Sequence, residues 1–439
     1  MPLEPNLTSK FREALKREIP VLIDHGILTE ESRDKVAALY QLDNLGQESS
    51  GLLTAVLYTI GGLLIGGGVI SFVAAHWDEI SEGSKFALLF SLLLAFYLAG
   101  YWLRYRGGWP RIGHALIFCG CLIFGANIAL LAQIYHLSGD WYGLFGIWAV
   151  GALLMAWAAQ SWITGLLVIA TSIIWFFGFA NNHHERLATF YPLLLLLAML
   201  PLAWLIRSPL LYSFTFLGFI FALPGLAFAQ MQDGELALPA LAAGGFLAWA
   251  TGEFHRLSEL RKEFSNPLVN LGIAALGCGA YFWSFDGIWS GHYSRGVNRF
   301  YWLIPAGCAV LAGGAALVFV SEKIDKFQRS YLIGVIIVFL LTSLAAVVGA
   351  KSQLLPVIIT NLAALLLAAV CIAKGILEEH RLIFWAGSLF VTLLVISRFF
   401  EYESSLILKS VAFILCGVIV MIAGVAYERF LHRKAATAQ

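Results

Sequence analysis

Charge is what this sequence has least of. Lys, Arg, Asp and Glu make up 13% of the 439 residues, about half the share usual in a soluble globular chain. The 28 basic and 27 acidic residues nearly cancel, to a net +1. The basic ones sit in short clusters between apolar runs, so there is no extended basic surface for nucleic acid to bind. Cysteine is also scarce. All six (Cys119, Cys121, Cys278, Cys308, Cys371 and Cys416) fall inside apolar runs, which argues against a disulfide framework. The "CGC" at 119–121 lacks the His and Cys companions of a zinc site. No Ser–His–Asp order, HExxH, Gly-x-Ser-x-Gly or phosphate loop stands out. Nothing therefore implies a cofactor or a metal.

In place of charge there is apolar length. Hydrophobic residues make up 60% of the chain, in runs close to the ~20 residues that cross a hydrocarbon core as a helix. Breaks of charge or turn residues separate fourteen such runs. The first seven are 52–75, 84–103, 112–135, 141–160, 162–179, 188–206 and 209–230. The second seven are 236–253, 267–285, 300–320, 328–348, 354–373, 382–397 and 405–427. The weakest break is "AWAAQSWITG", around Gln160–Trp162.

The expected fold is an all-α, polytopic transmembrane helix bundle of about fourteen spans. Residues 1–50 form a small cytoplasmic helical cap, 51–430 the bundle and 431–439 a cytoplasmic tail. The first 50 residues are polar, so no cleavable signal peptide is expected ahead of the first span. They read as two short helices. Phe11, Leu15 and Leu22 lie on one side of the first. Thr29 caps the second, whose stripe is Val36, Leu39 and Tyr40.

Loop charge gives the orientation. With the N-terminus inside, the inner segments hold 21 of the 28 Lys and Arg residues, a bias that places both termini in the cytoplasm. The outer segments are aromatic and polar, with Trp77, Trp141, Trp289 and Trp302 expected at headgroup depth.

Certain short elements agree in order and spacing with a known family. These are "HGILTEES" (25–32), then "GGLLIGGGVISFVAAHWDEI" (61–80) with its Ala75-His76-Trp77-Asp78 ending, then "FGANIALLAQIYHLSGDW" (124–141) with Ala132 to Tyr135. The chain here resembles the bacterial predicted-membrane-protein family catalogued as domain of unknown function 2157, over about residues 8–160. The segment 397–430 resembles the end of long members. The family has no assigned activity, so the resemblance implies architecture and a bacterial cytoplasmic (inner) membrane location, and no mechanism.

Polar residues inside apolar runs are the candidate functional groups, because an unpaired amide in hydrocarbon costs several kcal/mol. Gln133, His136 and Asp140 fall at i, i+3 and i+7, one stripe if the helix continues that far. Asn127 lies elsewhere on the helix. Together with His76, Asp78 and Glu79, which end the first span on the same side, they form a candidate ligand site for a cation or polar headgroup. The plain alternative is interhelical hydrogen bonding. Gly62 and Gly66 make a G-x-x-x-G pair suited to helix packing. Arg398 and Lys409 with Glu401 and Glu403 read as an ion-pair cluster fixing helix register. No Asp, Glu, Lys or Arg lies at mid-depth in any run, and Glu253, Lys351, Arg398 and Lys409 sit near ends, which counts against an ion-coupled carrier. Pro224-Gly225 and Pro305 with Gly307 are candidate kinks.

Three functional readings follow. The favoured one binds or translocates an amphipathic, lipid-like substrate through the polar outer-face cavity, with membrane lipids as partners. The second is a scaffold or sensor whose residues 1–45 dock a cytoplasmic protein. The third, least supported, is an intramembrane enzyme.

Overall fold

The computed structural model describes residues 9–40, 81–136, 139–183, 190–231, 237–289, 326–349, 354–401 and 405–437. The chain divides into two compact units, Met1–Ala87 and Leu88–Gln439. The expected spans 52–75 and 300–320 lie outside the described residues, and with them Gly62, Gly66, His76, Asp78, Glu79 and Pro305. Every described element is helical.

The first unit holds α1 (Ser9–Asp24) and α2 (Glu30–Tyr40). They make a hairpin with a core of its own: Ile19 is buried among Leu15, Ile23, Val36, Ala37 and Tyr40. Thr29 caps α2 as its position suggests, its Oγ1 accepting from the Ser32 N–H at 3.3 Å.

The remaining helices follow as α3 (Glu82–Tyr105), α4 (Pro110–Ile134), α5 (Gly143–Ala158), α6 (Trp162–His183), α7 (Tyr191–Leu205) and α8 (Pro209–Met231). They continue as α9 (Ala237–Leu257), α10 (Ser265–Trp283), the single turn α11 (Asp286–Trp289), α12 (Lys326–Val348), α13 (Leu354–Leu377), α14 (Arg381–Glu401) and α15 (Leu406–Thr437). Twelve of the fourteen expected runs fall on these helices. Eight described helices are long and apolar enough to cross a membrane unaided; α5 and α7 are apolar but shorter.

The ambiguous break at 158–162 resolves into a tight turn. Gln160 adopts a left-handed conformation (φ 45°), and the Ser161 N–H reaches back to the Ala156 carbonyl at 3.1 Å. Ser161 Oγ then caps α6 by accepting from the Thr164 N–H at 3.3 Å. The same device recurs between α7 and α8. Arg207 is left-handed (φ 53°), the Ser208 N–H donates to the Ala203 carbonyl at 3.1 Å, and Ser208 Oγ accepts from the Leu211 N–H at 3.2 Å. Each turn satisfies the orphan groups of one helix end and the next helix start within a few residues. By contrast α8 continues through Pro224 without ending.

Two cores share one hairpin. The first runs from α5 to α10 and includes Phe176, Met199, Leu211 and Phe264. The second joins α9 and α10 to α12 and α13 through Phe246, Trp249, Val335, Phe339 and Leu367. The α9–α10 hairpin belongs to both because its glycines let the two backbones nearly touch. A Cβ on Gly272 would lie 2.5 Å from the Trp249 backbone nitrogen and 2.6 Å from the Gly245 carbonyl oxygen; one on Gly252 would lie 2.8 Å from the Val269 nitrogen. These are backbone atoms, which cannot step aside.

Gly272→Ala is expected to cost about 1–3 kcal/mol, as overpacking does, and to lower the unfolding temperature in mild detergent. Gly417→Ala, on α15 where a Cβ meets nothing within 4 Å, is expected to be neutral or slightly stabilising. Thermal unfolding of both variants checks this.

Candidate functional site

The polar stripe expected on α4 does not continue as a helix. α4 ends at Ile134, and His136 takes a left-handed conformation (φ 46°), so the spacing of Gln133, His136 and Asp140 no longer places them on one face. Gln133, His136 and Asp140 are all exposed. Asp140 accepts a hydrogen bond from the Tyr142 hydroxyl at 2.5 Å. Asn127 points elsewhere, as its angle on the helix requires. It is buried, its Nδ2 donates to the Leu89 carbonyl of α3 at 3.1 Å, and its Oδ1 has no partner. It is interhelical glue.

At the α10 C-terminus the expected ion-pair cluster is present in part. Arg398 pairs with Glu401, and Glu403 lies outside the described residues. The guanidinium also donates from Nη1 to the Ser284 carbonyl (2.7 Å) and from Nη2 to Ser284 Oγ (2.9 Å). Asn361 Nδ2 reaches the same carbonyl at 3.1 Å, and Thr360 Oγ1 and Trp289 Nε1 donate to the Trp283 carbonyl at 2.9 and 2.8 Å. A cation on the last carbonyls of a helix answers the negative end of its dipole. This cluster is a helix cap tying α13 and α14 to α10.

The other end of the hairpin holds Glu253, expected near a run end, with Arg256 and Lys374, counted among the inner loop charges. Glu253, in the last turns of α9, is 2% exposed, and Lys374, near the end of α13, is 3% exposed. Arg256 Nη2 stands 2.7 Å from Glu253 Oε2, and its Nη1 3.6 Å from Glu378 Oε1. The Lys374 ammonium rests 4.1 Å over the Tyr331 ring and interacts electrostatically with Glu253. The Tyr331 hydroxyl accepts from the Trp249 indole N–H at 3.0 Å. Despite the ion pair, neither Glu253 oxygen accepts a hydrogen bond of normal geometry, and Arg256 Nε is without an acceptor.

The sequence did carry a signal for this network. On α9 the buried stripe Ala242, Phe246, Trp249 continues to Glu253, and on α13 the stripe Thr360, Ala363, Leu367, Cys371 continues to Lys374. Both charges sit where the next buried residue belongs. Next to them His255 serves packing: its Nδ1 contacts the Leu260 carbonyl at 2.8 Å and its Nε2 the Tyr212 hydroxyl at 3.2 Å.

A groove lies on the opposite face of α13. It is an open groove of about 430 Å³ lined by Ile372, Ile376, Phe384, Ala423, Ala426, Tyr427 and Phe430. Its walls are apolar, and the Arg381–Glu428 ion pair (2.9 Å) is adjacent in sequence to its lining. Among the described residues no group of three or more His, Cys, Asp or Glu is placed to hold a metal ion.

Residues 21–164 match the family model described as predicted membrane protein, DUF2157. The resemblance read in the sequence is to this family. The DUF2157 match covers about a third of the chain, taking in α2 to α5, while the buried charge network and the groove lie beyond it. No curated protein and no solved structure matches the chain. With its apolar helices, the DUF2157 match makes this an integral membrane protein.

A double-mutant cycle separates the buried pair from surface pairs. Glu253→Gln and Arg256→Gln are expected to couple by about 1–3 kcal/mol. The exposed Glu259–Lys262 pair is expected to couple by less than about 0.5 kcal/mol. Unfolding of the four variants of each cycle measures both.

Proposed function

We propose that the protein binds, and moves across or within a bacterial inner membrane, an amphipathic solute of lipid-like chemistry. The observation that carries this reading is the groove of about 430 Å³ between α13, α14 and α15. The groove is open along one side, and its apolar lining suits an acyl chain lying along it. The Arg381–Glu428 pair offers a polar headgroup both signs of charge at the groove's neighbouring turn.

The same reading takes the bundle as about fourteen spans with both termini cytoplasmic. Support comes from the three-to-one excess of basic residues in alternate loops. In that orientation the groove's charged neighbours and the Glu253 network belong to the cytoplasmic half. In the same orientation Gln133, His136 and Asp140 belong to the outer half.

Native mass spectrometry of protein released in mild detergent tests this. The expected result is a stoichiometric adduct of lipid or lipid-linked mass, lost when Ala423→Phe or Ala426→Phe fills the groove and retained in Gly417→Phe, outside it. A clean protein mass, or an adduct indifferent to groove filling, would overturn the reading.

A further inference from the structure

The interior end of α9 holds an acid that the groove does not use. Glu253 is almost completely removed from solvent; Arg256 and the Tyr331 hydroxyl are the donors that face it, and neither is well aligned on a carboxylate oxygen. A carboxylate in low dielectric surroundings must be fully paired, or it takes a proton. In membrane bundles, buried acids of this kind mark ion and proton paths.

Each neighbouring element contributes to its surroundings. α9 supplies Arg256, with His255 engaged instead by Tyr212 and Leu260. α12 supplies Tyr331, and α13 supplies Cys371 and Lys374, with Glu378 just after its last turn. α10, packed alongside, carries no charged residue. The four charges Glu253, Glu378, Arg256 and Lys374 sum to zero. Exposure rises along one line, from 2% at Glu253 through 23% at Arg256 to 35% at Glu378.

We propose that Glu253 is a proton-binding site of the bundle, reached from water on the side of Glu378 and Arg256. The proton comes from water on the side where Glu378 and Arg256 are exposed, and Glu253 takes it up there, the Glu378 charge favouring its approach and the Arg256 guanidinium staying protonated throughout. Glu253 then becomes a neutral acid, and the network goes from zero to +1. Arg256, no longer held by Glu253, is free to pair with Glu378 alone. Release reverses each step, with no heavy-atom bond made or broken. The inference goes beyond the solute reading by adding a proton as a second ligand. It stands on residues of the other face of α13, so a failure of the groove reading leaves it intact.

Infrared difference spectra of the whole protein in lipid nanodiscs, between acidic and alkaline buffer and with no solute added, provide the test. The expected result is a carboxylic-acid C=O band at the high frequency of a buried, weakly hydrogen-bonded acid. It should be present in the wild type, displaced in Glu253→Asp and lost in Glu253→Gln. A permanently ionised structural pair gives no such band. Identical spectra for wild type and Glu253→Asp would overturn the proposal even if Glu253→Gln fails to fold. A wild-type protein with no lipid adduct, but with the band present, would overturn only the solute reading.

Discussion

The close approach of α9 and α10 is the contact on which the rest of the second unit depends. It exists because Gly245, Gly252 and Gly272 leave no side chain between the two backbones. Between helices in lipid the hydrophobic effect supplies no driving force, so dispersion at short range and satisfied polar groups must hold the bundle. A hairpin this tight offers its two flanks to different neighbours. One flank packs in the core containing Phe176 and Met199, the other in that containing Phe339 and Leu367. Trp249, wedged against Gly272, also directs its indole N–H to Tyr331. Backbone contact and polar contact are thus made by one residue.

The two ends of this hairpin use charge in opposite ways. At the α10 C-terminus, Arg398 meets carbonyls that no helical partner can satisfy, and Asn361, Thr360 and Trp289 complete the set. Such a cap, in which only the Arg398 Nε is without an acceptor, fixes α13 and α14 in register. At the other end Glu253, Arg256, Lys374 and Glu378 balance in charge but not in hydrogen bonds. An incompletely satisfied ionic group in a low-dielectric interior is poised to respond to any change in its partners.

Much of the fold was legible in the sequence. Scarcity of charge, the length of the apolar runs and the Thr29 cap fixed the all-helical class, the α1–α2 hairpin and most helix positions. The turn at Gln160 was obscure because its stop signal is a left-handed Gln and a capping Ser, and neither polarity nor Pro and Gly marks it. The candidate site was less legible. The stripe of Gln133, His136 and Asp140 assumed a helix that in fact stops at Ile134. Lys374 was counted with loop charges because the apolar run seemed to end at 373, whereas the helix and its buried face run a turn further.

By itself the sequence determined that this chain is a membrane-embedded helical protein, since composition and run length are local and additive; the likeness of residues 21–164 to DUF2157 rests instead on short elements in order and spacing. Only the tertiary structure decided which polar residues are glue, which are caps and which are left with unmet valences. Those distinctions depend on what lies across the helix interface, and no residue's neighbours across an interface are written in its own segment. Glu253 and Arg398 look alike in the sequence, each a charge near the end of an apolar run. What divides them is that Arg398, a donor, meets the open carbonyls of a helix end, whereas Glu253, an acceptor, meets no well-aligned donor.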